Sequence, residues 1–249
     1  MRRIYYLAGL LCLAGMAAVS PVWPQDSPDG KTPAFDIEKY QFGLLRRGPQ
    51  WTAEKTPETE RIQAGHMAHI RKMAESGGLI AAGPIGSNGD LRGILIFRAE
   101  SPEAARALAA EDPAVKAGRL AVAVFTWRGT KGIGEKYAAE AKKNPGAPVT
   151  MVRYHLGLLR RGPQWTGETT PETQRLQQAH LGHIRRMLDE KKFVAAGPLE
   201  GGGDLRGVVV IAAETEAEAR PLAEADPAVK AGRMAVDLHP WSVARGVFP

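Results

Sequence analysis

Four histidines fall into two pairs, His66 with His69 and His180 with His183, and each pair is spaced so that both rings share one face of a helix. Ile62, His66, His69, Ile70 and Met73 recur at intervals of three and four, as do Leu176, His180, His183, Ile184 and Met187. The spacing predicts that all four imidazoles lie along the apolar stripe that faces a sheet. A buried imidazole without a hydrogen-bond partner costs about 1–3 kcal/mol, so each ring needs one. Two uses remain open on the residues alone: a satisfied core histidine, or a general base.

A second group with chemical capacity is GLLRRGPQWT, which starts at Gly43 and again at Gly157. Arg46, Arg47, Arg160 and Arg161 offer forked donors to a carboxylate or phenolate, and Trp51 and Trp165 offer stacking faces. A rim that reads an anionic or aromatic ligand is one expectation. The other is that Trp51 plugs the barrel end or the interface between halves while the arginines pair with surface acids.

Both groups occur twice because the chain is a tandem repeat. From Gly43 to Trp127 and from Gly157 to Trp241 the copies align without a gap at an offset of 114, with roughly half of the positions identical. Divergence is uneven. GLLRRGPQWT is unchanged, whereas 74–79 and 188–193 share no residue. Two copies are too few for a solenoid and suit a pair of domains packed on each other.

The elements that must position these residues alternate in period. Tyr40 to Leu45 reads as a strand, followed by a long loop. Thr56, Pro57 and Glu58 start a helix that runs to about Glu75 and stops at Gly77-Gly78. Leu79 to Ala82 and Gly93 to Ala99 read as strands, Ser101-Pro102-Glu103 starts a second helix that ends before Asp112-Pro113, and Leu120 to Trp127 is the last strand. Asp90-Leu91-Arg92-Gly93 reads as a hairpin turn entering its strand, and Lys116 and Arg119 as solvated. The order β-α-β-β-α-β is the ferredoxin-like α+β arrangement, which leaves one sheet face bare. Two such repeats within one chain are expected to cover each other as an eight-stranded pseudo-twofold barrel. The expected organisation is a signal peptide at 1–20, a tether at 21–36, repeats at 37–128 and 150–245, and a partly helical linker at 129–149.

Composition narrows the function. With 44% hydrophobic and 24% charged residues in 249, the chain matches globular proteins. The net charge of +6 is spread through both copies, which gives no footprint for nucleic acid. Arg2 and Arg3, the apolar run 4–19 and the small residues Ala17 and Ala18 read as a cleaved export signal, too short to span a bilayer. A secreted or periplasmic monomer without stable membrane insertion is expected. The single cysteine, Cys12, lies in that signal, so the mature chain has no thiol chemistry.

His66 followed by an apolar helix, AAGP at 81–84, a helix starting at Ser101-Pro102, and DPAVKAG at 112–118 together resemble the YciI-like (YCII-related) family, in both repeats. The resemblance implies a dimeric α+β barrel fused in tandem, with active sites built from a first-helix histidine and an acid. By position these are His66 with Asp112 and His180 with Asp226. A relative is similar to a dehydrochlorinase acting on chlorinated hydroxyquinols, which makes elimination chemistry possible. This chain departs in its longer first loop and in its second helix histidine. A metal held by His66, His69 and Asp112 is a weak alternative, since a lone His-x-x-His pair is unspecific.

There is no phosphate-cradling glycine loop, no dinucleotide fingerprint and no evident Ser-His-Asp set, so no cofactor is expected. The expected function is a cofactor-independent lyase or isomerase on a small cyclic or phenolic compound. In it His66 and His180 remove a proton, Asp112 and Asp226 fix their tautomer, and Arg46 or Arg160 steadies the anion. His69, His183, Arg47, Arg161, Trp51 and Trp165 would line the substrate. A non-catalytic ligand-binding or structural protein is the alternative.

Overall fold

A computed structural model describes residues 35–87, 89–144 and 146–249. The signal and most of the tether expected from the sequence lie outside the described residues. In chain order the elements of the first repeat are β1 (Ile37–Arg47), α1 (Pro57–Glu75), β2 (Leu79–Pro84), β3 (Leu91–Phe97), α2 (Pro102–Ala110), α3 (Pro113–Lys116) and β4 (Leu120–Thr130). A connecting helix α4 (Glu135–Lys143) leads to the second set: β5 (Met151–Arg161), α5 (Pro171–Asp189), β6 (Phe193–Glu200), β7 (Leu205–Ile211), α6 (Glu216–Glu224), α7 (Pro227–Lys230) and β8 (Met234–Ala244).

Local chemistry sets these boundaries. Thr56 caps α1 by accepting from the Thr59 N–H, Thr59 reaches back to the Thr56 N–H, and Pro57 occupies the first turn. The same box recurs at Thr170 and Thr173. Gly77 ends α1 with φ of 76°, a left-handed conformation that suits glycine. DPAVKAG, which the sequence places only after the end of the second helix, contains the one-turn helix α3. Asp112 caps it, its Oδ1 accepting from the Ala114 N–H at 2.8 Å. Four residues are too few to show a helical period.

The eight strands form one sheet in the order β2-β3-β1-β4-β6-β7-β5-β8, with antiparallel pairing wherever register is defined. It closes on itself through the Ile85–Trp241 bridge and the Gly86 N–H donating to the Pro240 carbonyl at 2.8 Å. Three cores result. Phe42, Leu44, Ile94, Leu156, Val208 and Trp241 belong to the one inside the barrel. Outside, one layer packs α1 and α2 on the first half and another packs α5 and α6 on the second. Alternation along β1 sends Tyr40, Phe42 and Leu44 inward and Leu45 outward. Ile133, Val247 and Phe248 join the inner core at one end, where the Ile133 N–H donates to Tyr40 Oη at 3.1 Å. The Arg46 end of the strands is open.

The halves meet along two seams, β4 with β6 and β8 with β2. At the first, Trp127 Nε1 donates to the Gly197 carbonyl at 3.2 Å and Arg128 pairs with Glu200. A Cβ on Gly197 would sit 1.8 Å from the Arg128 carbonyl oxygen, and one on Gly83 would sit 1.8 Å from that of Ser242. The glycine of each AGP motif is therefore required by the crossing backbone of the other repeat. Gly83→Ala or Gly197→Ala should lower stability by about 3 kcal/mol or more in urea denaturation, since the clash is with backbone that cannot rotate away. Gly182→Ala, on the exposed side of α5 with nothing within 4 Å, should instead stabilise by about 0.5–1 kcal/mol.

Candidate active site

His66 and Asp112 are brought together by α1 and the N-terminus of α3. His66 Nδ1 lies 2.6 Å from Asp112 Oδ2, and the second repeat reproduces the contact between His180 and Asp226, also at 2.6 Å. Each carboxylate is held at both oxygens, because its Oδ1 accepts from the N–H of Ala114 or Ala228 at 2.8 Å. A carboxylate acceptor assigns the proton to Nδ1 and leaves the Nε2 lone pair to act as base. Burial pushes the Asp112 carboxyl up, but the His66 hydrogen bond and charge and the Ala114 N–H outweigh it and hold the group below the usual carboxylate range.

The two dyads are equal in geometry and unequal in access. The His66 side chain retains 13% of its exposure and His180 only 3%. The following residue shows the same difference, Met67 being 46% exposed and Leu181 2%.

His69 and His183 have a different environment. His69 Nε2 donates to the Leu108 carbonyl and His183 Nε2 to that of Leu222, each at 3.0 Å. Arg186 donates to His183 Nδ1 at 3.1 Å, and Phe193 packs edge-on against the ring. Burial, first among the causes, holds His183 below its ordinary value. Each ring is tied to the neighbouring helix, His183 buried and His69 half-buried. All four imidazoles were expected to face the sheet; their hydrogen bonds run instead to the neighbouring helices, because an apolar stripe identifies the packed side of a helix but not which neighbour its polar atoms meet. The paired rings also address separate acceptors, and among the described residues no group of three or more His, Cys, Asp or Glu side chains could hold a metal ion.

The arginines of the repeated loop divide between the two faces of the sheet. Arg46 and Arg160 turn inward at the open barrel end, into a cavity of about 460 Å³ that also meets Leu44, Leu158, Phe125 and His239. Arg46 pairs with Asp90 at 2.9 Å and Arg160 with Asp237 at 2.6 Å. They lie on the opposite sheet face from the dyads, which separates them from the anion-steadying role expected for them.

Arg47 and Arg161 turn outward instead. Trp51 plugs neither the barrel nor the seam; like Ile62, Val115 and Val122 it packs against the outer core of its own repeat. Arg47, Arg92 and Arg119 lie over its ring with guanidinium carbons 5.5, 4.8 and 5.3 Å from the centroid. Trp165 is surrounded in the same way by Arg161, Arg206 and Arg233 at 5.3, 5.2 and 4.6 Å. The loop is fixed there by the Gly48 N–H donating to the Arg119 carbonyl and the Gln50 N–H to that of Gly118, both at 2.9 Å. A Cβ on Gly48 would meet the Gly118 oxygen at 2.2 Å, so the approach needs glycine. Arg119 is thus stacked rather than solvated. Sequence reasoning missed Arg92, Arg119, Arg206 and Arg233, although the identity of DLRG and DPAVKAGR in both copies pointed to them.

An eight-stranded antiparallel barrel with helices outside, made of two βαββαβ units, is a dimeric α+β barrel built within one polypeptide. The YCII-related domain model matches residues 48–128 and 156–242, and the chain belongs to that family. No curated protein matches it. Among solved structures, a chlorite dismutase variant from Candidatus Nitrospira defluvii is similar, with a TM-score of 0.51 and 10% identity over 84% of this chain and 92% of that one. A heme-binding protein from Thermus thermophilus matches with a TM-score of 0.45 and 16% identity over 84% and 90%. At these identities the likeness to the dismutase shows the fold alone.

Removing one partner of a buried pair leaves the other uncompensated. His180→Ala should destabilise by about 3 kcal/mol or more, because Asp226 would stay enclosed. His66→Ala should cost about 1–2 kcal/mol, because solvent reaches that dyad. Urea denaturation of both variants checks the order. The acid limb has a defined sign. Because the Asp112 carboxyl is depressed in the folded chain, the unfolded chain binds more protons on acidification. Its contribution is complete above the usual carboxylate range and is lost as pH falls through the depressed value. Asp112→Asn should flatten that part of the stability curve.

Proposed function

We propose that this member of the YCII-related family is an exported, cofactor-independent lyase or isomerase in which the His66–Asp112 dyad is the proton-transfer centre. The observation that carries this reading is the dyad itself: Nδ1 bound to a buried, doubly held carboxylate at 2.6 Å, with the opposite nitrogen on a ring that solvent still reaches. Neutral His66 takes a proton at Nε2 from a small cyclic or phenolic compound, and Asp112 stabilises the imidazolium that forms. The electron pair left behind then expels a leaving group from the neighbouring atom, giving a lyase, or recaptures the proton elsewhere on the substrate, giving an isomerase. His180 has the same partners but less access, so turnover belongs chiefly to the first repeat and the second dyad chiefly to packing.

A module that holds a ligand without turnover is the second reading, and the 460 Å³ barrel cavity favours it. The test is an assay of chloride release and spectral change on a panel of chlorinated hydroquinols and hydroxyquinols. Turnover should fall by about 100-fold or more in His66→Gln with the fold retained, and by less than about tenfold in His180→Gln. Binding of panel members without conversion would favour the second reading, and turnover unaffected by His66→Gln would overturn the first. Export is tested by the N-terminal mass of the protein secreted from a Gram-negative host, with cleavage expected near residue 20.

A further inference from the structure

Three of the stretches that stayed identical between the repeats, LLRRGPQWT, DLRG and DPAVKAGR, come from separate parts of each unit and converge on one place. They supply the tryptophan and all three guanidinium groups over its ring, Arg47, Arg92 and Arg119 in one half and Arg161, Arg206 and Arg233 in the other. No two of the three cations in a cluster are more than about 11 Å apart, while the Debye length at physiological salt is about 8 Å.

At least two cations in each cluster lack a carboxylate partner among the described residues. Among the described residues, Arg92, Arg119, Arg206 and Arg233 have no carboxylate at ion-pair distance, whereas Arg46 and Arg160 at the same barrel end both do. Arg206 is held below its ordinary value by burial and then by the charge of Arg161. Hydrogen bonding by these four uses few donors: Arg92 to the Ser87 carbonyl at 3.1 Å, Arg119 to that of Thr52 at 2.9 Å, and Arg233 to Thr166 Oγ1 at 3.2 Å. Each guanidinium has five N–H groups, so most remain to be placed. The indole fixes the planes of the forks in advance, which reduces the ordering cost of binding.

We propose that each tryptophan–triarginine cluster is an oxyanion site for the phosphate or carboxylate group of a small ligand, so that the chain has two such sites. The shared chemistry is a planar fork of N–H donors meeting two oxygens of one anionic group. The proposal rests on the clusters alone and holds whether or not the dyads turn anything over. Trp51 and Ile62, one turn before His66 on α1, pack against the same outer core, and Asp112 and Arg119 flank α3, so an anion held there is anchored on the dyad's side of the sheet.

The experiment is calorimetric titration of the whole protein with inorganic phosphate and, separately, with benzoate, against chloride at matched ionic strength, with the arginine Nε–Hε resonances followed in parallel. Saturable binding of two equivalents per chain is expected for at least one of the two anions, and whichever binds tighter identifies the group. Arg92→Gln or Arg206→Gln alone should leave one equivalent, and the two together should weaken binding at least tenfold. Arg92→Lys with Arg206→Lys keeps the charge, removes the fork and should also weaken it; this pair decides the matter if the glutamine variants do not fold. His66→Gln with His180→Gln should leave binding intact, so failure of the dyad reading is distinguishable from failure of this one. Absence of saturation above the chloride control would overturn the proposal. So would equal loss of binding in Arg46→Gln with Arg160→Gln, which would assign the anion to the barrel cavity.

Discussion

Backbone crossing backbone at Gly83 and Gly197 is the constraint on which the rest depends. A ferredoxin-like sheet has two edges and a bare face, and here both problems are solved by the same contacts. Where β8 passes β2 and β4 passes β6, the chains approach so closely that no side-chain atom fits on either glycine. That approach closes the sheet into a barrel, and closure buries Phe42, Leu44, Leu156 and Val208 in a common interior. Trp127 and Trp241 complete the seams from inside, although not equivalently. Trp127 donates to the Gly197 carbonyl, while Trp241 Nε1 has no partner among the described residues.

With the inner face occupied by the barrel, the helices remain outside, and the chemistry of each repeat is arranged between them and the sheet. The one-turn helix α3 shows how economical this is. Its Ala114 N–H orients the Asp112 carboxylate, the carboxylate orients His66, and the Gly118-Arg119 carbonyls just beyond receive the loop that carries Trp51. Eight residues, DPAVKAGR, thereby link a dyad to a cationic cluster. That explains why this segment was retained in both copies while the end of the first helix drifted.

Much of the fold is legible in the sequence because its signals are local. Thr56-Pro57 and Ser101-Pro102 announce helix starts, Gly77-Gly78 ends α1, and the β-α-β-β-α-β order limits the topology to few choices. The pairing of His66 with Asp112 follows from family resemblance, not from periodicity, since 46 residues separate them. What is not legible depends on three-dimensional convergence. Alternation along β1 places Arg46 and Arg47 on opposite faces, but only the closed barrel makes one face an interior cavity and the other a ring stacked against Trp51. The unequal exposure of the dyads is equally hidden, because His66 and His180 have nearly the same sequence neighbours and differ in what covers them.

Fusion of two repeats also permits something a pair of identical chains cannot do. In a symmetric dimer every substitution lining a shared cavity appears twice, because the interface is isologous. Here the cavity at the open barrel end has Ala123 and Phe125 on one side and, at the equivalent positions on β8, Asp237 and His239 on the other. Asp237 takes Arg160 into an ion pair, and His239 is held below its ordinary value by burial first, with the positive charge of Arg46 acting in the same direction. At these two positions the second repeat is polar and titratable where the first is apolar, while Arg46 with Asp90 and Arg160 with Asp204 recur on both sides. The repeats kept their outer clusters alike and differ at this inner pair of positions, where a tandem chain is freed from the symmetry that its fold otherwise retains.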